Sequence, residues 1–172
     1  NAFGNNKIET AVFNALRPVL SGRVNYRSHR KITVIDGEIA YTGGINIGDE
    51  YTNKIQRYGH WKDVGIRLTG DAVDSFVVMF LRMWNFSTNG KNLQYGRFIS
   101  KEHENDGKGF VIPYSDGPNN TLNPARNIYL QMISSAKKSI WIMTPYLILD
   151  NEIITALINS SLSGVDIKIE TK

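Results

Sequence analysis

The chain has 172 residues, enough for one domain with a real core or for two incomplete ones. Its 41% hydrophobic and 21% charged content is ordinary for a globular chain, and the absence of cysteine excludes disulfides. A net charge of +4 is a weak bias toward anionic partners, and the longest apolar run, FVVMFLRMW, is too short to cross a bilayer and holds Arg82.

In chain order, residues 7–13 (KIETAVF) read as a strand, since Val12 and Phe13 are good strand formers. Pro18 and Ser21-Gly22 break the chain into a loop before Val24 and Tyr26. The runs ITVI and EIAYT are strand-like, and Asp36-Gly37 between them is the dipeptide favoured in a tight hairpin turn. Residues 46–53 read as a short helical turn or a structured loop. Residues 61–68 (WKDVGIRL) alternate as a strand, with Val64, Ile66 and Leu68 on one face. Gly70 ends that strand, and Asp71 is the expected N-cap of a helix over 72–86. This helix is apolar on most sides, which predicts burial. Residues 87–109 are polar, rich in Gly, Asn and Lys, and unpatterned, as in a surface linker. A strand at 110–114, a helix at 125–136, a strand at 139–144, a helix at 152–162 and a strand at 165–170 are expected next. Pro124 opens the first of those helices and Gly164 ends the second. Strands alternating with helices predict an α/β fold with a mixed β-sheet flanked by helices.

The chemistry concentrates in residues 29–46, HRKITVIDGEIAYTGGIN. His29, Lys31 and Asp36 stand in the spacing H-x-K-x-x-x-x-D, followed by Gly43, Gly44 and Asn46. On an extended strand, residues two apart point to one side, so His29 and Lys31 offer an imidazole and an ammonium to one space. Gly43-Gly44 lets backbone approach a ligand closely, and Asn46 adds an amide donor. An imidazole nucleophile or acid, a cation and an amide donor together suit a phosphoryl group passing through a charged transition state.

These residues resemble the catalytic motif of the phospholipase D superfamily, H-x-K-x-x-x-x-D with a trailing G-[GS]-x-N. NYRSHRKITVIDG and TGGINIGDEY resemble more narrowly the first motif of bacterial cardiolipin synthases. The resemblance runs on through GHWKDVGIRLTGDAV and YLQMISSAKKSIWIMTPYLILDNEI, over most of the chain. Three specified residues would coincide by chance in roughly one such chain in a hundred, and Gly-Gly-x-Asn at the family's interval lowers that by more than about another hundredfold. Gly44, where many superfamily members carry Ser, is also Gly in cardiolipin synthase-like sequences and favours lipid transfer over a nuclease.

The resemblance implies two repeats in one protein, each ending in its own motif. Residues 1–100 would be the back part of a first repeat and residues 101–172 the front part of a second. The second motif is then expected beyond Lys172, and the fold of this chain is expected to be phospholipase D-like and incomplete. Neither His60 nor His103 is followed by Lys two residues on and Asp five after that. By the same resemblance His29 is the nucleophile that forms a phosphohistidine, while Lys31, Asn46 and Gly44 bind the phosphate. Asp36, the third motif residue, sits at the turn, where it fixes the hairpin. Asp63 either orients His29 through its other ring nitrogen or is a solvated carboxylate at a strand end.

No metal and no cofactor are expected, because three scattered histidines offer no ligand spacing. The partners implied are phosphatidylglycerol and related anionic phospholipids, a bacterial membrane surface and the missing second repeat, with no nucleic acid. Arg27 and Arg30 either bind anionic head groups or are solvated. His103 and His60 read as loop residues without a role, and Trp84 and Phe86 as core rather than lipid contacts. The reading is phosphatidyl transfer joining two phosphatidylglycerols. A phospholipase D or nuclease that transfers to water, and an inert module binding anionic lipid or a partner, are the alternatives.

Overall fold

In the computed structural model, the described residues are 8–14, 28–57, 59–90, 94–103, 107–117 and 120–171. The expected loop at Pro18 and Ser21-Gly22, with Val24, Tyr26, Arg27 and the first residue of the expected strand at 7–13, lies outside them. The chain divides into two compact units, residues 1–113 and 114–172. Tyr95 and Ile99, near the end of the expected first part, pack on the core of the first unit.

The first unit holds an antiparallel sheet in the order β1-β2-β3, with β1 at Ile32–Ile35, β2 at Ile39–Gly43 and β3 at Gly65–Thr69. The hairpin forms where the sequence predicts it. Glu38 donates its N–H to the Ile35 carbonyl at 3.0 Å, and Asp36 and Gly37 both take positive φ, 55° and 74°. Positive φ at both central residues is the feature of a primed hairpin turn, which Asp-Gly accommodates with least strain. Val34, Ala40 and Leu68 stand side by side across the three strands and face the helix α1, Ala72–Thr88. Val73, Phe76, Val77 and Leu81 on one stripe of α1 complete this core. The helix is buried along that stripe alone: Phe86 is 67% exposed and meets Phe13 at 5.4 Å, and Phe80 stacks on Trp84 at 6.2 Å.

Several expected elements differ, each for a hydrogen-bonding reason. Residues 8–12 and 110–114 form no strand, because a strand exists only through a paired neighbour and none lies beside them among the described residues. Phe110, 99% exposed, is the extreme of that unpaired run. Strand β3 starts at Gly65 rather than Trp61. The Trp61 N–H is taken by Asn53 Oδ1 at 2.6 Å and the Val64 N–H by Asp63 Oδ1 at 2.7 Å, so neither is free for a ladder. Asp71 precedes α1 with helical backbone angles and makes no side-chain cap bond. A capping side chain needs extended backbone to reach the first-turn N–H groups; here Val73 N–H bonds the Gly70 carbonyl instead.

The stretch read as a linker is also partly packed. His103, expected to be solvated, has a side chain only 6% exposed, and its Nε2 lies 2.8 Å from Asp74 Oδ1 on α1. A single 3₁₀ turn at Tyr95–Arg97 leads the chain back across the core.

The second unit is a helix followed by a β-α-β unit: α2 at Pro124–Ser135, β4 at Ser139–Thr144, α3 at Asn151–Leu162 and β5 at Asp166–Thr171. β4 and β5 pair in parallel, which requires a crossover, and α3 supplies it. The antiparallel and parallel pairings that one mixed sheet would combine are thus divided between two sheets. Asp150 caps α3 by accepting from Ile153 N–H at 2.9 Å, and Ser160 Oγ donates to the Ile133 carbonyl at 3.0 Å, joining α3 to α2. Helix α2 is capped from a distance. Asn123 makes no cap bond; the Asp116 carboxylate accepts from Ala125 N–H at 3.1 Å and from Gly117 N–H at 2.7 Å. The bond from Ala125 is the chief cause that holds the Asp116 carboxyl below its ordinary range.

Two tests follow. Phe76→Ala empties the middle of the first core and is expected to cost about 3–5 kcal/mol in denaturant unfolding of that unit; a loss under about 1 kcal/mol would mean that the core lies elsewhere. Because the folded Asp116 pKa is depressed, its stabilisation is present above the carboxylate's unfolded pKa and is lost as pH falls through the lower folded value. Acidification should therefore lower the protection factors of Ala125 and Gly117, each exchange rate being compared with the intrinsic rate at the same pH, and Asp116→Asn should show weaker protection there at neutral pH with little further loss in acid.

Candidate functional site

The expected site residues lie on the first unit, and the strand registers sort them into two ends. Ile32 pairs with Thr42 and Gly43 pairs with Gly65, so the chain ends that lead into β1, out of β2 and into β3 meet at one edge. His29, Lys31, Gly44, Asn46 and Asp63 all belong to these connecting stretches. Asp36 lies at the opposite end, in the turn, roughly 13–17 Å along the hairpin from Lys31 at about 3.3 Å per residue. It lines a groove there with Gly37, Val77, Phe80 and Arg97. The structure therefore brings five of the six residues toward one end and sets Asp36 apart.

His29 and Lys31 precede β1 rather than standing on it. Strand alternation is thus not what relates them. Lys31 Nζ folds back and donates to the His29 carbonyl at 2.8 Å, leaving the imidazole exposed. An ammonium has three N–H bonds, so Lys31 keeps two for a ligand.

The paired glycines serve close packing within the chain. A side chain at Gly44 would collide with the Asp63 carboxylate, and one at Gly43 with the Val64 carbonyl. Gly44 N–H donates to the Val64 carbonyl at 3.2 Å, so that backbone donor is already engaged. Asp63 itself is held at both oxygens, by Val64 N–H and by Trp61 Nε1–H at 3.1 Å. No hydrogen bond joins Asp63 to His29 among those described.

Asn46 lies in the loop that follows, and its Nδ2–H donates to the Tyr51 hydroxyl. The Tyr51 ring meets Trp61 edge to face at 4.7 Å. Asn53, at φ 59°, clasps the Trp61 backbone with its amide, donating to the carbonyl at 2.9 Å and accepting from the N–H. Residues 46–53 are thus a structured loop of turns. Tyr51 and Asn53, which sequence reading passed over, hold the named residues in place. The signal for them was present in part: a turn-rich loop before an aromatic residue, with Asn at a position needing positive φ. Among the described residues no group of three or more His, Cys, Asp or Glu side chains could hold a metal ion, and no helix is long and apolar enough to cross a membrane.

Comparison with known proteins supplies the context. A family model described as "Cardiolipin synthase, PLD-like domain" matches residues 129–171. An uncharacterized protein of Streptococcus mutans is 45% identical over 163 residues, covering 94% of this chain and 35% of that protein. Cardiolipin synthase 2 of Bacillus cereus is 42% identical over 152 residues, covering 88% of this chain and 30% of the relative. A cardiolipin synthase of Staphylococcus aureus is 39% identical over 159 residues, covering 92% and 32%. Each of these alignments is long enough that it must run through residues 29–46. The chain spans about a third of the length of the curated relatives it matches, as the shares of 35%, 30% and 32% give. With its motif on an exposed hairpin end and identities near 40% across both units, the chain belongs to the phospholipase D superfamily, close to the cardiolipin synthases.

Proposed function

We propose that this chain is part of a cardiolipin synthase-like phosphatidyltransferase, and that the open end of its hairpin is one half of the active site. The observation that carries the reading is the gathering of His29, Lys31 and Asn46 at one edge in a chain whose named relatives are cardiolipin synthases. In the proposed reaction a neutral His29 ring nitrogen attacks the phosphorus of one phosphatidylglycerol. The bond from phosphorus to the head-group glycerol breaks, and the leaving oxygen takes a proton from an acid on the opposite side. The hydroxyl of a second phosphatidylglycerol then attacks in line, its proton returns to the same group, and the phosphorus–nitrogen bond breaks to give cardiolipin and free His29. Lys31 and Asn46 donate to the equatorial oxygens as charge builds on them. Asp36 fixes the turn. Asp63 is the candidate to orient His29 through its other ring nitrogen.

The acid belongs, on this reading, to a second motif. The family model matches residues 129–171, a stretch without a histidine, whereas the motif lies at 29–46. A matched unit that begins after the motif is what a chain would show if it held the end of one repeat and the beginning of the next. Residues 1–100 and 101–172 are proposed as those two parts, acting on anionic phospholipid at a membrane surface.

In a longer protein containing this segment, His29→Ala should lower phosphatidylglycerol turnover by at least about 10³-fold, and Lys31→Ala by about 10²–10³-fold. Asn46→Ala should cost only about tenfold, because one neutral donor contributes less than a cation. Near-normal turnover by either of the first two variants would sink the assignment, and trapping radiolabelled phosphate on His29 separates a transferase from an inert lipid-binding module. The 172-residue chain by itself should show no turnover even at high concentration, since one histidine cannot both attack and protonate the leaving oxygen. Measurable turnover, with two His29 rings of separate copies crosslinked across one phosphate, would make the chain a complete half-enzyme instead.

A further inference from the structure

The connections around Asn46 and Asp63 form a chain of contacts that the proposed reaction does not itself require. Asn46 Nδ2–H bonds the Tyr51 hydroxyl, Tyr51 packs on Trp61, and Trp61 Nε1–H bonds Asp63 Oδ2. Trp61 is fixed in turn through its backbone by the Asn53 amide, and Asp63 through its other oxygen by Val64 N–H. We propose that Tyr51 and Trp61 are positioning residues: Tyr51 sets the direction of the Asn46 amide, Trp61 sets that of the Asp63 carboxylate, and the packing of the two rings couples the settings. The proposal rests on reading the open hairpin end as a phosphate site.

The physical argument starts from the amide. An Asn side chain turns easily about its last bond and can present either an oxygen or an NH₂ group. Only the NH₂ face favours an anion; the oxygen repels one. With one N–H given to the Tyr51 hydroxyl, the second N–H is left in a defined direction. The hydroxyl can define it because the Tyr51 ring is held against Trp61 at 4.7 Å and 65°. Indole nitrogen only donates, so the Asp63 oxygen facing it must accept, which fixes the face that the carboxylate turns elsewhere. Gly44 completes the device, since any side chain there would push Asp63 off this position. Holding groups within about 0.5 Å is what a charged transition state demands of its surroundings.

Tyr51→Phe deletes the hydroxyl and keeps the ring; Trp61→Phe deletes the N–H and keeps an aromatic contact. The experiment is nuclear magnetic resonance on the 172-residue chain, reading the Asn46 side-chain amide and the Asp63 carboxyl carbon, first without ligand and then with inorganic phosphate. In Tyr51→Phe the bonded Asn46 amide proton should move to the shift of a free amide and exchange faster with solvent, and phosphate affinity should fall by up to about tenfold. In an Asn46→Ala background, Tyr51→Phe should have no further effect on phosphate affinity. Trp61→Phe should move the Asp63 carbon signal and, through the ring contact, the Asn46 amide as well. An Asn46 amide signal unchanged in Tyr51→Phe, or additive losses from Tyr51→Phe and Asn46→Ala, would overturn the relay. Phosphate that leaves the wild-type signals of Lys31 and Asn46 unmoved would overturn the phosphate-site reading, while the ligand-free signals still decide the relay. If Tyr51→Phe disturbs backbone signals beyond residues 44–64, Trp61→Phe carries the decision through the Asp63 and Asn46 signals.

Discussion

The geometry of the hairpin's open end depends on the Asp63 carboxylate lying in the space that a side chain at residue 44 would need. Around that contact the end of β2 and the entrance to β3 approach closely enough for Gly44 N–H to bond the Val64 carbonyl. The same carboxylate takes the N–H of Val64 and the indole N–H of Trp61, which ends the ladder and starts the loop scaffold. Glycine at 44 is thus tied to an acid at 63. A Ser hydroxyl at that position would need the carboxylate to move, so the choice between Gly and Ser reaches beyond residue 44 itself.

The scaffold beneath is small. A stripe of α1 and three cross-strand neighbours, Val34, Ala40 and Leu68, form the core of the first unit. Burial of this kind stabilises by about 25 cal/mol per Å² of apolar surface, so each large side chain in so small a cluster matters. The segment after α1 adds to it: Tyr95 and Ile99 return to the core, and the buried His103 ring meets the half-buried Asp74. Gly37 in the hairpin turn abuts the Phe98 carbonyl, so this returning segment also packs on the turn that carries Asp36. Asp36 therefore occupies a place where it shapes the hairpin from the end remote from His29, in keeping with the structural role proposed for it.

On the proposed chemistry, the division of labour is set by exposure and by prior commitments to hydrogen bonds. His29 is exposed and Lys31 retains donors, so both can meet a phosphate arriving from solvent or from a lipid surface. Asn46 and Asp63 are already held by neighbours, and Gly44 N–H is spent on Val64. The exposed partners would then attack and grip, while the held ones define the direction of approach.

The sequence by itself determined the features that rest on short-range physics. The hairpin and its Asp-Gly turn, the helices α1, α2 and α3, the strands β4 and β5 and the motif with its family were all legible, because turn chemistry, periodicity and spacing are local. Tertiary structure decided whatever depends on a distant partner. Residues 110–114 carry strand-forming side chains yet find no neighbour to pair with among the described residues, and β3 loses its first residues to side chains of the loop before it. His103 looked solvated because nothing near it in sequence shows that Asp74 waits 29 residues away. The meeting of Gly44 with Asp63 likewise follows from strand register. Register is a property of paired chains, and no single stretch of sequence contains it.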